Sequence, residues 1–295
     1  MEPSEARRAW HLIETVNAVS YFTEECREAA TRLGLKGFWM GYFANRASPM
    51  GAVPASVVEA TFYNFHPAMV RRAIPDAWSF APVGEVLGAR SEAAARAIRA
   101  RASEAQALAP RLVALLRPLI EAADGAGRPL FSANRDVEVT GDVERLWQAL
   151  TTLREHRGDG HVAVLTEAGL DGCEVHLVAV AASGQDPSTY QAARGWSVDD
   201  WAHAAERLRE RGLLDAAERL TTEGRELRER IERRTDELAI RPYRSLSEAA
   251  FGELLSLLGT LARQIAAAGA ISYPNPMGLP KLEDERSGGA GPSSG

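Results

Sequence analysis

Apolar residues recur at intervals of three and four over most of the chain. The pattern runs from Trp10 and Ile13 to Phe22 and across 89–123, 143–153, 198–214 and 223–239. That spacing puts one apolar stripe on an α-helix. Alternation with period two is confined to 130–139, where Val137 and Val139 flank Glu138, and to 213–220. Breakers such as Gly34, Pro49, Pro67, Pro75, Gly125, Gly158, Gly160, Gly184, Gly195 and Pro242 cut the pattern into helices of ordinary length. The chain is therefore expected to be all-α, with at most a short β wing. From Lys281 onward the Glu/Asp/Arg run and the Gly/Ser/Pro ending have nothing to bury, so 281–295 is expected to be a disordered tail.

The order of elements repeats. Leu33-Gly34-Leu35-Lys36-Gly37 parallels Ala168-Gly169-Leu170-Asp171-Gly172, and each follows an amphipathic helix containing Trp10 or Trp147. Farther on, Leu108-Ala109-Pro110 answers Leu238-Ala239 with Pro242, and Leu115-Leu116 with Leu119 answers Leu257-Leu258 with Leu261. We expect two homologous helical units, 1–127 and 142–270, joined by a linker at 128–141 and packed about a pseudo-twofold axis.

In the second unit, 187–193 reads as a short helix, Arg194-Gly195-Trp196-Ser197 as a turn with Ser197 as N-cap, and 198–211 as a longer helix ending at Gly212. Leu208-Arg209-Glu210-Arg211-Gly212-Leu213, followed by Leu220-Thr221-Thr222-Glu223-Gly224, resembles the end of the recognition helix and the post-wing motif of the MarR family of winged helix-turn-helix proteins. The resemblance covers roughly 170–267. It implies a helix in the major groove, a wing in the minor groove and a dimer that holds small effectors between its DNA-binding and dimerisation parts. The whole chain is also similar to a family of actinobacterial two-repeat helical proteins. That similarity rests on Tyr21-Phe22-Thr23-Glu24, Gly41-Tyr42-Phe43-Ala44-Asn45-Arg46-Ala47, Phe62-Tyr63-Asn64-Phe65-His66-Pro67 and Leu153-Arg154-Glu155-His156-Arg157-Gly158-Asp159-Gly160-His161. It implies no particular reaction. The family commonly carries His where Asn17 stands here, which removes that ligand from any metal or haem reading.

Charge argues against reading DNA. The would-be recognition helix opens with Asp199, Asp200 and Trp201, where phosphate and base-edge contacts call for Arg, Asn, Gln, Ser or Thr. Arg194, Arg207, Arg209 and Arg211 are balanced by Asp199, Asp200, Glu206 and Glu210, so no counterion-releasing stripe forms. The candidate wing, 214–219, is short and acidic, and Pro75 cuts the equivalent helix of the first unit. The chain as a whole carries a net charge of −6. With 45% apolar and 25% charged residues it has an ordinary globular composition. Its longest apolar run, 175–182, is too short to span a bilayer and contains His176, so no membrane partner is expected. Two cysteines, Cys26 and Cys173, and an opening without the order of a secretory signal fit a reducing cytoplasm.

Candidate chemistry concentrates in two places. Between residues 156 and 161 a polar, glycine-punctuated segment falls where Tyr21-Phe22-Thr23-Glu24 falls in the first unit, so symmetry would bring both to the cleft between units. There Arg157 is a candidate clamp for a carboxylate or phosphate, Asp159 a group to orient a histidine, and His161 an acid/base or ligand; the competing reading is a helix entry capped by Asp159 or Gly160. Arg46 lies among Phe38, Trp39, Tyr42 and Phe43, and must be paired with a carboxylate such as Glu59 or with an anionic ligand. Trp39, Phe62 and Tyr63 are expected as aromatic walls, with Tyr21 and Glu24 at the cleft and His66, at a helix entry, as a further ligand-binding residue; the competing reading of His66 is a hydrogen-bonded structural role. His156 and His161 lack the i, i+4 pairing of a zincin, so no metal site is expected, and phosphate-loop, dinucleotide, nucleophile-elbow and Cys-x-x-Cys motifs are absent. No residue pattern names a cofactor. The expected function is binding, with possible chemistry at His161 and Asp159, of a small anionic aromatic or amphipathic molecule, by a monomeric pseudo-dimer or a homodimer. The alternatives are a ligand-responsive MarR-like transcription regulator and an acid/base or haem-type enzyme.

Overall fold

In a computed structural model the described residues, 2–282, form helices joined by short turns, and none of them lies in a β-strand. The wing expected at 213–220 is reduced to one antiparallel bridge, Leu214 with Leu220, closed around the Asp215 carboxylate, which accepts the backbone N–H groups of Ala217 and Arg219. Of the expected tail, 283–295 lies outside the described residues.

The organising element is the central helix Asp142–Glu167, about 39 Å long at 1.5 Å per residue. It runs unbroken through Gly158 and Gly160, where the sequence suggested a polar turn between two helices. Glycine inside a helix costs about 1 kcal/mol relative to alanine, and tertiary contacts offset it here. A Cβ at Gly160 would sit 2.6 Å from Arg128 Nη1, so the missing side chain makes room for a guanidinium that donates to the His156 carbonyl. Asp159 therefore does not open a helix of its own; its carboxylate accepts the Phe131 backbone N–H at 2.9 Å, in the first turn of the neighbouring short helix. These contacts hold the short helix Pro129–Arg135 within the stretch expected as linker, 128–141, where the sequence also shows a brief period-two alternation. Its buried residues, Leu130, Phe131 and Asn134, follow helical rather than alternating spacing.

Three apolar cores result. The largest is shared along the chain: Ile13, Val16, Ile98, Leu116, Leu150 and Leu258 all belong to it. Within it the N-terminal helix Pro3–Asn17 packs on Thr222–Ala239 and Glu248–Ala267, while the central helix packs on Val83–Arg101 and Ala105–Ala122. A second core gathers Met40, Phe43, Phe62 and Val86 around the aromatic helix Gly37–Ala47. A third gathers Leu170, Leu177, Trp201 and Ile231 around Glu174–Ser183 and Val198–Glu210.

The helix-turn-helix forms as its local chemistry dictates. Pro187–Arg194 ends at Gly195, whose φ of 79° is the left-handed conformation glycine adopts without strain. Ser197 then caps Val198–Glu210 in a reciprocal box with Asp200. The turn is docked against the first half of the chain. His66 N–H donates to the Arg194 carbonyl at 2.9 Å, and both Trp196 Nε1 and His176 Nε2 donate to the Asn64 carbonyl, at 3.0 and 3.1 Å. Gly172 permits this approach, because a Cβ there would lie 2.4 Å from the Tyr63 carbonyl oxygen.

Candidate functional site

A cavity of about 780 Å³ opens between the shared core and the two smaller ones. Of the residues singled out from the sequence, Tyr21, Trp39, Tyr42, Arg46, Phe62, Tyr63, Arg157 and His161 line it; Glu24, His66 and Asp159 do not. The Glu24 side chain is 74% exposed, 3.9 Å from Arg27. His66 caps the helix Pro67–Arg71, its Nδ1 accepting the Ala68 N–H at 3.1 Å, with its ring 5.0 Å from Trp196. Asp159 is turned to Phe131, on the other side of the central helix from the cavity-lining Arg157 and His161, and does not orient a histidine. Burial pushes its carboxyl up to about 7.

One wall is a chain of buried charges. Arg46 does not pair with Glu59, which instead holds Arg71 at 2.7 Å. Its Nε and Nη2 donate to Glu155 Oε1 and Oε2 at 2.9 and 3.0 Å, while its guanidinium lies 4.2 Å from the centre of the Phe62 ring. Arg154 donates to the same Glu155 at 2.9 Å and to Glu14 at 3.0 Å. Burial alone would raise the Glu155 carboxyl, but the Arg154 and Arg46 charges outweigh it and bring it down to about 2. Tyr21 and Tyr42, with ring centres 5.3 Å apart, stand in front of this chain. Burial pushes the Tyr21 hydroxyl up to about 12.

At a second wall Arg157 donates to Asp236 at 3.2 Å and lies 4.3 Å from the Trp10 ring centre. One turn on, His161 Nδ1 is 2.9 Å from Thr235 Oγ1. The Thr235 hydroxyl gives its hydrogen to the Ile231 carbonyl at 2.8 Å, so His161 Nδ1 must be the donor and Nε2 keeps a free lone pair. Burial, followed by the Arg157 charge, brings His161 down to about 4, so the ring is neutral at pH 7.

The third wall was not singled out from the sequence. Arg194, 8% exposed, has no carboxylate within ion-pair distance among the described residues. Its Nη groups donate to the Ala193 and Pro276 carbonyls at 3.2 and 2.7 Å, and its Nε is buried without an acceptor. The guanidinium lies 4.7 Å from the Phe65 ring centre, and Tyr190 and His176 line the cavity beside it. Burial lowers the Arg194 pKa. His176, held by the Asn64 carbonyl, is brought down to about 3, by burial and then by the Arg194 charge. In the sequence Arg194 sits in a helix-turn-helix turn, where an arginine reads as a phosphate contact; only the docking of that turn aims it inward.

The outward face of Val198–Glu210 carries little free positive charge. Arg207 is held by Asp171 and Glu174, Arg211 by Glu174 and the Ala168 and Gly169 carbonyls, and Arg209 lies 3.5 Å from Glu218. Among the described residues no cluster of three His, Cys, Asp or Glu side chains has the arrangement to hold a metal ion. Both cysteines are buried and unpaired, with thiols pushed up by burial to about 11 at Cys26 and about 12 at Cys173. Among the described residues no helix is long and apolar enough to cross a membrane.

A docked helix-turn-helix in an otherwise helical body defines the class of protein. The chain belongs to a helix-turn-helix family, whose model matches residues 6–272, nearly the whole chain. No match to it was found among curated proteins or among solved structures.

Proposed function

We propose that this helix-turn-helix protein binds a small anion with an aromatic or amphipathic body in the cavity between its halves, and that it has given up DNA binding. The observation that carries the reading is Arg194. A buried guanidinium without a counter-charge is costly, and this one stands in a wall of aromatic rings that would receive a planar body. The test is a thermal-shift and calorimetric titration with aromatic carboxylates such as salicylate and indole-3-acetate. Saturable stabilisation is expected, weakened about tenfold or more in Arg194→Gln, the loss of one charge-assisted contact of about 1.5–3 kcal/mol. Absence of saturable binding across the panel, or equal affinity in the variant, rejects the reading.

Family membership favours a second reading, a ligand-responsive MarR-type transcription regulator. His161, neutral with a free Nε2 in the cavity wall, keeps acid/base chemistry on the bound molecule as a third. Operator binding separates the regulator from the others, and turnover of a bound carboxylate separates the enzyme.

We also read the chain as a duplication about a pseudo-twofold axis, in units close to 1–127 and 142–270. Support comes from packing: the first helix of each unit lies on the last two long helices of the other. Superposition of the halves of an experimental structure tests it, with about six helices expected to correspond in order and direction.

A further inference from the structure

Arg46, Arg71 and Arg111 each present the edge formed by Nε and Nη2 to a glutamate, and each donates to both carboxylate oxygens at 2.6 to 3.0 Å. At Arg194 the same two donors are split. Nη2 donates to the Pro276 carbonyl at 2.7 Å, and the buried Nε has no acceptor among the described residues. One neutral oxygen serves the pair of donors that elsewhere in this protein holds two charged ones.

Pro276 belongs to a strap that follows the last helix, Glu248–Ala267, and lies past the end of the family match at 272. Pro276, Met277, Gly278 and Pro280 form part of the cavity wall. The strap has no helix or strand of its own. Asn275, 1% exposed, ties it into a turn instead. Its Nδ2 donates to the Ser272 and Leu279 carbonyls at 3.3 and 3.1 Å, its Oδ1 accepts the Met277 and Leu279 N–H groups at 3.2 and 3.1 Å, and its carbonyl accepts the Gly278 N–H at 3.1 Å. Ile271 and Leu279 pin the two ends in the shared core. The bond from Arg194 joins the middle of the strap to the helix-turn-helix. A carboxylate that reaches Arg194 competes for it with three advantages over the carbonyl. Its charge-assisted bond is about twice as strong, it satisfies Nε as well, and it neutralises a buried guanidinium. Once that bond is lost, the strap keeps only its side-chain-tied turn and two apolar pins, the kind of segment that opens at low cost.

We propose that the Pro276 carbonyl is a resident stand-in for a ligand carboxylate: an anion that takes the Nε and Nη2 edge of Arg194 displaces it and frees the strap, 273–280, from the cavity wall. The inference rests on the ligand reading of the large cavity and adds the regulation of that site. The empty protein is latched, and occupancy is reported by release of the strap. Opening the latch subtracts from the ligand's binding free energy, so loosening the strap tightens binding.

The test is hydrogen exchange on the full chain, read by mass spectrometry, with salicylate and indole-3-acetate as probes and calorimetry to establish binding. In the empty protein the Met277, Gly278 and Leu279 amides are expected to be protected. A saturating probe should speed their exchange about tenfold or more, and Arg194→Met, which has no donor, should do the same with no probe present. Asn275→Ala, which unties the turn, should bind the probe about threefold or more tighter. If a bound probe slows these amides or leaves them unchanged, if Arg194→Met leaves them protected, or if a folded Asn275→Ala binds no tighter, the strap is a fixed wall and the latch is overturned with the ligand reading intact. Should Asn275→Ala fail to fold, the two exchange measurements decide alone. Absence of saturable binding by calorimetry removes the ligand reading, and the displacement with it.

Discussion

Arg154 Nε donates to Glu14 Oε2 at 3.0 Å, joining the central helix to the N-terminal one across 140 residues of sequence. Less than a turn away the same two helices are joined again, by Thr151 Oγ1 and Asn17 Oδ1 at 2.8 Å. The two contacts are polar islands beside the core residues Ile13, Val16, Leu146 and Leu150 of the same two helices. Polar pairs at that depth fix register, because a shifted helix would leave a buried charge without its partner.

That dependence predicts a strong effect at Glu155, which serves Arg46 and Arg154 together. Glu155→Gln should cost about 3–5 kcal/mol in urea unfolding, the penalty for breaking a buried pair. Glu59→Gln, which removes only the exposed pair with Arg71, should leave the midpoint unchanged. Comparable losses in the two variants would show that the charge chain is not structural.

Acid sensitivity follows from the buried histidines. His156, His161 and His176 are held down to about 3, 4 and 3, against 6.5 for the free ring, chiefly by burial, and His11 is shifted in the same sense. Between pH 4 and 6.5 the unfolded chain therefore binds more protons at these rings, and stability falls as pH drops. Asp159 works in the opposite sense: with its folded value raised to about 7 it keeps a proton that the unfolded carboxyl would lose above 3.8. The net is about two protons taken up on unfolding near pH 5, or roughly 3 kcal/mol per pH unit, falling below one proton by pH 6.5. Urea midpoints from pH 4.5 to 6.5 measure the slope, and His176→Gln should reduce it by about one proton.

The hydrogen-bond chain from His161 through Thr235 to Ile231 predicts a single tautomer. Nitrogen-15 spectra at pH 7 should show a neutral His161 ring protonated at Nδ1. Thr235→Val, which removes the acceptor, should shift that signal and mix the tautomers. A ring protonated at Nε2 in the unaltered protein would remove the free lone pair from the cavity.

The proposal that DNA binding has been given up predicts no saturable shift of the chain's own upstream DNA at about 150 mM salt, since Asp199, Asp200 and the carboxylate-bound Arg207 offer phosphates no free positive charge. Nanomolar binding weakened by substitutions along Val198–Glu210 would transfer the protein to the regulator reading.

The helical class, the turn at Gly195 with its Ser197 cap, the truncated wing and the aromatic helix around Tyr42 were legible in the sequence, because period, capping and glycine conformation are local properties. Burial of Arg46 and its need for a partner were legible too; the partner was not. Glu155, 109 residues away, is no more conspicuous in the sequence than Glu59, and only the packing of two helices chooses between them. The same reason explains the misread break in the central helix. Gly158 and Gly160 read as a break because their cost is local, whereas what offsets it, the Arg128 side chain, arrives from another part of the chain. Arg194 marks the boundary most clearly. Its residue type and its place in a helix-turn-helix turn were determined by the sequence, but whether that turn faces DNA or a cavity depends on Gly172 and Asn64 letting two distant backbones meet, and long-range contact of that kind is decided only in the tertiary structure.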